Sequence, residues 1–195
     1  MNTKSHTIAC IGGTFDALHV GHKEYIQMAF AAADFVLIYL ASNRCVQREK
    51  KYDVRSYRDR CQRLKSYLTE SNIAPDRYQI RQIKSRNQLE NELAEENVHK
   101  AIVVAEYVDM ITRINEKRRT NGLPPIQMIR KERTRDDHHH DISSTEMRFP
   151  KSIRSYIPNA TLINIDTDKI KSTAAGKFLQ KYNLLAFCKA LPLKP

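Results

Sequence analysis

Residues 12–22 read GGTFDALHVGH, and they join a short apolar stretch at residues 7–11 to a segment with helical spacing at residues 20–33. Two adjacent glycines allow the backbone to approach a ligand closely. The amides in the first turn of the helix that follows offer a site for an anion. His19 and His22 are three residues apart at the start of that helix, so both imidazoles can face one bound phosphate. The stretch therefore predicts a phosphate-binding turn between a strand and a helix.

Apolar runs and amphipathic segments alternate along the rest of the chain. Continuous apolar runs such as FVLIYL at residues 35–40 and AIVVA at 101–105 are typical of strands buried on both faces. Further strands are predicted at 78–83 and 126–129, and helices at 55–68, 88–97 and 110–120, with another helix opening at Ser143. Strands separated by helices of this length predict βαβ units, and therefore an α/β fold with a parallel sheet flanked by helices.

The composition excludes several classes of protein. The 195 residues include 33 Lys and Arg against 22 Asp and Glu, a formal charge of +11, and 41% of the residues are hydrophobic. That hydrophobic content is enough for a packed core and argues against wholesale disorder. No apolar run approaches the roughly 18 residues of a membrane span, so we expect no membrane partner. Four widely spaced cysteines without a CxxC pair, and a polar start without a secretory signal, favour a reduced cytoplasmic chain.

A second motif lies near residue 142, where the chain reads ISSTEMR. Ser143 and Glu146 have the spacing of a capping box, which opens a helix with free amides and additional hydroxyl groups. Arg148 lies one turn further on, where its guanidinium could add positive charge beside the same anion. The motif therefore predicts a second group of donors for phosphate oxygens.

Together, the GGTFDALHVGH and ISSTEMR stretches resemble the HxGH nucleotidyltransferase superfamily. Residues 51–60 (KYDVRSYRDR) and 113–126 (RINEKRRTNGLPPI) are similar to segments of the archaeal and eukaryotic type of phosphopantetheine adenylyltransferase. The resemblance covers roughly residues 7–150. It implies a Rossmann-like nucleotidyltransferase fold and adenylyl transfer from ATP to 4′-phosphopantetheine, which gives dephospho-coenzyme A and pyrophosphate.

The resemblance also implies roles for individual residues. His19, His22 and Lys51 would be catalytic, and Thr14 and Lys51 would contact phosphopantetheine. The residues implied in ATP binding are Gly12, Gly13, Thr14, Phe15, His19, Gly21, His22, Ser143, Ser144, Thr145 and Arg148. Mg²⁺ is expected through the substrate phosphates, with no dedicated set of protein ligands.

Two other functions stay open at this point. Nicotinamide-mononucleotide adenylyltransferases share both motifs, although the absence of tryptophan counts mildly against an aromatic nicotinamide pocket. The other is a non-catalytic relative that binds nucleotide or RNA. Every position of the two motifs is filled, however, and the sequence has no RNA-binding signature, so we expect no nucleic-acid partner. The histidine run at 138–140 could lie over the triphosphate or bind a metal.

Some expectations concern organisation and single residues. We expect a nucleotidyltransferase domain over residues 1–158 and an extension of unknown role over 159–195; the sequence leaves the oligomeric state open. Gly122 is expected to end a helix, and Cys10 to be buried packing. Besides Lys51 and Arg148, the basic residues expected to face the phosphates are Arg60, Arg113 and Arg118.

Overall fold

Five parallel strands form the centre of the molecule. The structure is a computed structural model, and it describes residues 6–49 and 54–135. All of them belong to one of the two units into which the chain divides. The strands are β1 (Ile8–Gly13), β2 (Phe35–Ala41), β3 (Tyr78–Ile83), β4 (Lys100–Val103) and β5 (Gln127–Arg130).

Helices connect consecutive strands, as a parallel sheet requires. They are α1 (Val20–Ala32), α2 (Asn43–Glu49), α3 (Tyr57–Glu70), α4 (Arg86–Glu95) and α5 (Val108–Thr120), with short 3₁₀ turns at Pro75–Arg77 and Ala105–Tyr107. Among these described elements, no helix is both long enough and apolar enough to cross a lipid bilayer. The α/β fold predicted from the sequence is therefore confirmed.

The order of strands across the sheet is β3-β2-β1-β4-β5. The chain first builds outward from β1 to β2 and β3, and then returns to the other side of β1 with β4 and β5. The direction of winding thus reverses between β1 and β4. In open parallel sheets this reversal leaves a crevice at the carboxyl ends of the strands.

Two hydrophobic clusters cover the two faces of the sheet. Because side chains alternate along a strand, Cys10 and Ile11 point to opposite faces, and both are buried. One cluster packs the face of Cys10 with α4 and α5. The other packs the face of Ile11 with α1 and α3. Burial on both faces explains why the strands are continuous apolar runs.

Most element boundaries agree with the sequence within a few residues, but three details differ. The helix α2 was missed, because its seven residues contain too few apolar positions for a helical period to be visible. Gly12 and Gly13 are the last residues of β1 and do not follow it. The predicted strand at 101–105 ends at Val103, since Val104 leads into a 3₁₀ turn. The boundary at residue 158 lies outside the described residues and stays a prediction.

A buried guanidinium holds α5 to the neighbouring loops. Arg118 is 1% exposed, and it donates hydrogen bonds to four backbone carbonyls, those of Leu93, Glu96, Val98 and Pro124. Gly122, with φ of +71°, ends the same helix, as the sequence predicted. The expectation that Arg118 faces a substrate is wrong, because the side chain is buried and four of its five N–H donors bind carbonyls inside the domain.

Replacing Arg118 tests this structural role. Arg118→Met should lower the free energy of unfolding by roughly 2–4 kcal/mol, because buried carbonyls lose their donor. Urea unfolding followed by circular dichroism measures the change. The neighbouring exposed arginine provides the control, and Arg119→Met should leave stability within about 0.5 kcal/mol. Equal stability of the two variants would refute the role.

Candidate active site

The crevice begins where β1 and β4 separate. These strands pair at Ala9 with Lys100 and at Cys10 with Ala101, and the pairing stops there. On its other side β1 stays paired with β2 as far as Gly13. The last residues of β1 are therefore paired on one edge only. Ligands of open α/β sheets bind at such a point.

The hydroxyl of Tyr25 occupies the gap between the diverging strands. It donates a hydrogen bond to the Ile102 carbonyl at 2.8 Å and accepts one from the Gly12 amide at 3.3 Å. The side chain comes from α1, the helix that follows the glycines. Tyr25 thus replaces the next backbone hydrogen bond of the ladder and holds the two strands apart.

His19 and His22 lie together at the start of α1. Their ring centroids are 3.9 Å apart and their planes are inclined by 29°. His19 is the residue before the first helical turn; no side chain caps that turn, and it contains no acidic residue. The positive end of the helix dipole therefore adds to the attraction that the two imidazoles exert on an anion. The two rings thus lie close enough to face one phosphate, and that shared role stays a prediction.

The tautomer of His22 is set by its backbone neighbour. Its Nδ1 lies 2.6 Å from the carbonyl oxygen of Ala17, which can only accept a hydrogen bond. Assigned from this contact, the proton of the neutral ring is on Nδ1. The other nitrogen, Nε2, then donates to a phosphate oxygen only when the ring becomes an imidazolium. His22 is therefore suited to carry positive charge against a phosphate.

His19 has a different electrostatic environment. Burial, followed by the charges of His22 and Lys131, lowers its pKa from 6.5 to about 4. Its Nδ1 is buried and makes no hydrogen bond to the described residues. In the absence of ligand the ring is thus neutral at physiological pH, and a proton on Nε2 would make it a hydrogen-bond donor. Two histidines in one motif acquire different roles from their surroundings.

The loop between β1 and α1 is fixed by two arginines. Asp16 is 1% exposed, and its Oδ1 accepts a hydrogen bond from the Arg55 amide at 2.9 Å. Arg60, which is fully buried, donates to the Thr14 carbonyl at 2.8 Å. The expectation that Arg60 faces the phosphates is therefore wrong. Arg60 instead positions Thr14, whose own predicted role is to contact them.

The side chain of Phe15 packs beneath the same loop, in the hydrophobic cluster that contains Ile11. Phe15 has a φ of 48°, in the left-handed region, and its side chain is fully buried. Its ring centroid lies 5.3 Å from that of His22. A Cβ on Gly13 would come within 3.2 Å of the Phe15 ring, so an alanine there would press on it. Only the backbone of Phe15 is thus available to the ATP contact expected from the sequence.

A pocket with mainly apolar walls opens beside the motif. Gly12, Gly13 and Thr14 form one side of it. The rest of its lining includes residues from β2, β4, α4 and α5, among them Ala41, Leu93, Val103, Met110 and Ile111. The Tyr39 hydroxyl is buried at this pocket and makes no hydrogen bond to the described residues. The pocket therefore offers an apolar environment beside the phosphate-binding turn and one buried polar group without a partner among the described residues.

A second, basic pocket lies beyond the carboxyl ends of β4 and β5. Its lining includes Arg130, Lys131, Arg133 and Arg135, together with Asp109 near the start of α5. Arg133 is paired with Glu106 of the 3₁₀ turn that follows β4. The two pockets therefore differ in chemistry, since one is apolar and the other is cationic. Lys131, which lines the cationic pocket, acts electrostatically on His19.

The described residues include only part of the predicted site. Gly12, Gly13, Thr14, His19, Gly21 and His22 come together at the end of β1, whereas Lys51, Ser143, Ser144, Thr145 and Arg148 lie outside the described residues, as does the 138–140 run. Arg113 lies on α5 and pairs with Glu90 of α4, and the expectation that it faces the phosphates stays a prediction. Cys10 is buried, as predicted, and burial raises the pKa of its thiol to about 12.

Comparison with known proteins agrees with this geometry. Residues 10–149 match the model of a family described as cytidylyltransferase-like. The chain belongs to the cytidylyltransferase-like family. The match spans both the GGTFDALHVGH turn and the ISSTEMR stretch, so the resemblance to HxGH nucleotidyltransferases noted from the sequence is confirmed.

Named relatives of this cytidylyltransferase-like chain occur among archaea. A bifunctional phosphopantetheine adenylyltransferase/NTP phosphatase of Thermoplasma volcanium is 34% identical over 123 residues, which are 63% of this chain and 36% of the relative. The phosphopantetheine adenylyltransferase of Pyrococcus horikoshii is 33% identical over 123 residues, covering 61% of this chain and 73% of that protein. That of Methanopyrus kandleri is 29% identical over 138 residues, 71% and 86% of the two chains. This chain spans about a third of the length of the Thermoplasma relatives.

Solved structures agree on the fold of this cytidylyltransferase-like chain. A protein of unknown function from Archaeoglobus fulgidus aligns with a TM-score of 0.56 at 22% identity, covering 70% of this chain and 99% of that one. A bifunctional NMN adenylyltransferase/ADP ribose pyrophosphatase from Francisella tularensis aligns with a TM-score of 0.52 at 16% identity, covering 98% and 58%. At these identities the likeness concerns the fold.

The Tyr25 bridge gives a direct test of how the crevice is held open. Tyr25→Phe should lower the free energy of unfolding by about 1–3 kcal/mol, because the Gly12 amide and the Ile102 carbonyl lose their shared partner. Urea unfolding measures the change. Tyr67→Phe is the matched control, since the buried Tyr67 hydroxyl has no hydrogen-bond partner among the described residues and its removal should cost little. If both substitutions had the same effect, Tyr25 would not be a bridge.

The titration of His19 gives a second test. We expect its imidazole in the ligand-free protein to titrate near pH 4, well below the ordinary value of about 6.5. The unfolded chain would then bind a proton that the folded chain does not between those values. The free energy of unfolding therefore falls as the pH drops from about 6.5 to about 4. Above pH 6.5 the imidazole is neutral in both states, and this loss of stability is absent. NMR titration of labelled histidines, assigned with His19→Gln, measures it. Titration at or above pH 6.5 would contradict the environment described.

Proposed function

We propose that the chain transfers the adenylyl group of ATP to 4′-phosphopantetheine, which yields dephospho-coenzyme A and pyrophosphate. The observation that carries this proposal is the pair of stacked imidazoles, 3.9 Å apart, at an uncapped helix start next to an apolar pocket. An anion site and an apolar site side by side suit two substrates, one rich in phosphate and the other with a long, weakly polar arm. The names of the archaeal relatives support phosphopantetheine as the acceptor.

The α-phosphate of ATP is proposed to bind at the start of α1. His22, protonated at Nε2, would pair with one phosphate oxygen, and neutral His19 would donate a hydrogen bond to another. The first-turn amides and the helix dipole add to the same field. Charge that builds up on the α-phosphorus oxygens in the transition state is thereby stabilised by groups that are already in position.

The chemical step needs positioning more than proton transfer. An ionised phosphate oxygen of phosphopantetheine forms a bond to the α-phosphorus of ATP. The bond from that phosphorus to the oxygen that bridges the α- and β-phosphates breaks, and this oxygen leaves with the pyrophosphate. The nucleophile carries its negative charge already, so no general base is required. The enzyme contributes alignment in line with the leaving group and cationic surroundings. Lys51, Ser143, Ser144, Thr145 and Arg148 are proposed to supply the remaining contacts to both substrates.

The acceptor arm is proposed to lie in the apolar pocket. Thr14 stands at its phosphate end, held there by the bond from Arg60 to its carbonyl. The buried Tyr39 hydroxyl at the same pocket would find a partner in an amide of the arm. A buried polar group that gains its first hydrogen bond from a ligand discriminates against ligands without that group.

Mg²⁺ is proposed to arrive with ATP. Among residues 6–49 and 54–135 no group of three His, Cys, Asp or Glu side chains is arranged to hold a metal ion. The buried carboxylate within the motif, Asp16, is hydrogen-bonded and ion-paired to Arg55. The donors around the site are imidazoles and amides, which suit phosphate oxygens, whereas Mg²⁺ prefers oxygen ligands. The ion would therefore be held by the β- and γ-phosphates and water, and would neutralise the leaving pyrophosphate.

A substrate matrix tests the function. ATP and CTP are each offered with 4′-phosphopantetheine, nicotinamide mononucleotide or no acceptor, and pyrophosphate release is measured with mass detection of the nucleotidyl product. The proposal expects turnover with ATP and phosphopantetheine and formation of dephospho-coenzyme A. Turnover with nicotinamide mononucleotide instead would replace the acceptor, and turnover with CTP would replace the donor. Absence of turnover in every arm would leave a nucleotide-binding protein without this activity.

His22 provides the sharpest variant for the active pair. His22→Ala should lower kcat by about two to three orders of magnitude with the fold intact, because a preorganised donor to the reacting phosphate is lost. Steady-state kinetics and circular dichroism measure both quantities. His6→Ala is the control: this exposed histidine precedes the opposite end of β1 and should leave kcat unchanged. Unchanged turnover in folded His22→Ala would remove His22 from the mechanism.

A further inference from the structure

A lysine buried next to the active histidines has no role in the scheme above. Lys131 is the first residue after β5, and it is 9% exposed. Its Nζ donates hydrogen bonds to Glu24 Oε2 at 2.9 Å, to Thr134 Oγ1 at 2.8 Å and to the Glu132 carbonyl at 2.9 Å. All three protons of the ammonium group are therefore engaged, which a buried charge requires.

The three side chains of Glu24, Lys131 and Thr134 form what we call the Lys131 cluster. Thr134 Oγ1 donates a second hydrogen bond to Glu24 Oε2, the same oxygen that Lys131 contacts. These bonds hold the pKa of Glu24 below its ordinary value. Glu24 belongs to α1, whereas the other two belong to the segment after β5. The cluster thus fastens that segment to the helix that begins with His19.

Gly21 shows how closely the cluster approaches His19. A Cβ built on Gly21 would lie 3.0 Å from Thr134 Oγ1 and 3.3 Å from Cε1 and Nδ1 of His19. Thr134 and the His19 imidazole therefore border the same small space, which only a glycine leaves open. No other described side chain lies as close to this point, so Thr134 is the neighbour of the His19 ring on this side of α1.

Lys131 also lies between His19 and the basic pocket. It belongs to the lining of that pocket, and its charge acts on His19. Among the described residues, the ionisable groups that act on His19 are His22 on its own helix and Lys131 from the segment after β5. Glu24, one turn further along α1, offsets part of the lysine's charge.

We propose that Lys131 is a positioning residue of the transferase site, which holds Thr134 and the His19 ring in place and extends the positive field from the basic pocket to the reacting phosphate. This inference rests on the proposed function for its effect on turnover. Its structural part, the control of His19 by Lys131, does not depend on which acceptor is used. A buried ammonium group is costly to keep, and an apolar residue at the end of an edge strand would serve stability at least as well.

The test uses Lys131→Met in the full chain, with the titration of His19 by NMR as first readout. Loss of the nearby charge should make His19 titrate at a higher pH than in the unaltered protein. Binding of ATP, measured calorimetrically with no acceptor present, should weaken on the order of tenfold, and kcat should fall by a similar factor. Lys117→Met is the matched control: Lys117 is an exposed lysine that also lies close to a glutamate, Glu90, and its loss should leave all three quantities unchanged.

A second pair of variants keeps the charge and alters only the hydroxyl. Thr134→Val removes the link between Lys131 and the space beside Gly21, and should lower kcat with the titration of His19 nearly unchanged. Thr134→Ser retains the hydroxyl and should retain activity. If Lys131→Met does not fold, this pair decides the inference, and equal kcat for valine and serine overturns it.

The outcomes separate this inference from the proposed function. A merely structural lysine would lower the melting temperature while the titration of His19 and the affinity for ATP stayed the same, which would overturn the inference. If the unaltered chain transfers nothing to any acceptor, the proposed function fails. In that case the NMR titration and ATP binding still decide whether Lys131 positions His19.

Discussion

The separation of β1 from β4 is the constraint on which the rest of the site depends. A parallel ladder that continued past Cys10 and Ala101 would seal the edge where the glycines end. The Tyr25 hydroxyl takes both hydrogen bonds that the ladder gives up, so neither the Gly12 amide nor the Ile102 carbonyl is left unpaired. Opening the crevice therefore costs the backbone little. The phosphate-binding turn and the apolar pocket both lie along the edge of β1 that this opening exposes.

The buried cations of the domain act mainly on backbone oxygens. Arg118 gathers four carbonyls near the ends of α4 and α5, and Arg60 reaches the Thr14 carbonyl from α3. A guanidinium has five donors in a fixed plane, which lets one side chain satisfy several loop carbonyls at once. Part of the net charge of +11 thus comes from buried arginines that stabilise the fold. Excess positive charge in a sequence is a weaker sign of an anionic partner than its count suggests.

The sequence was sufficient for the sheet, for four of the five described helices and for the proximity of His19 to His22, because apolar runs and the spacing of the motif are local patterns. It misassigned Arg60 and Arg118, although both fall on the buried face of their helices, at four residues from Leu64 and Ile114. That spacing was the available signal, and the charge of the residues obscured it. Tyr25 and the Lys131 cluster could not be found, because their roles depend on the register between distant strands, which no local pattern specifies.

The bonds between Glu24 and the segment after β5 have a consequence for how the site is assembled. The residues they join are 107 and 110 positions apart in the chain. Contacts of such long range form late, since the loop between them must close first. The histidine motif is made within the first tenth or so of the chain, yet the surroundings of His19 are completed only after the last described strand has docked. In a partly folded chain the motif is therefore present, but His19 has neither its low pKa nor a fixed ring position. The complete site forms only when the described strands have all docked.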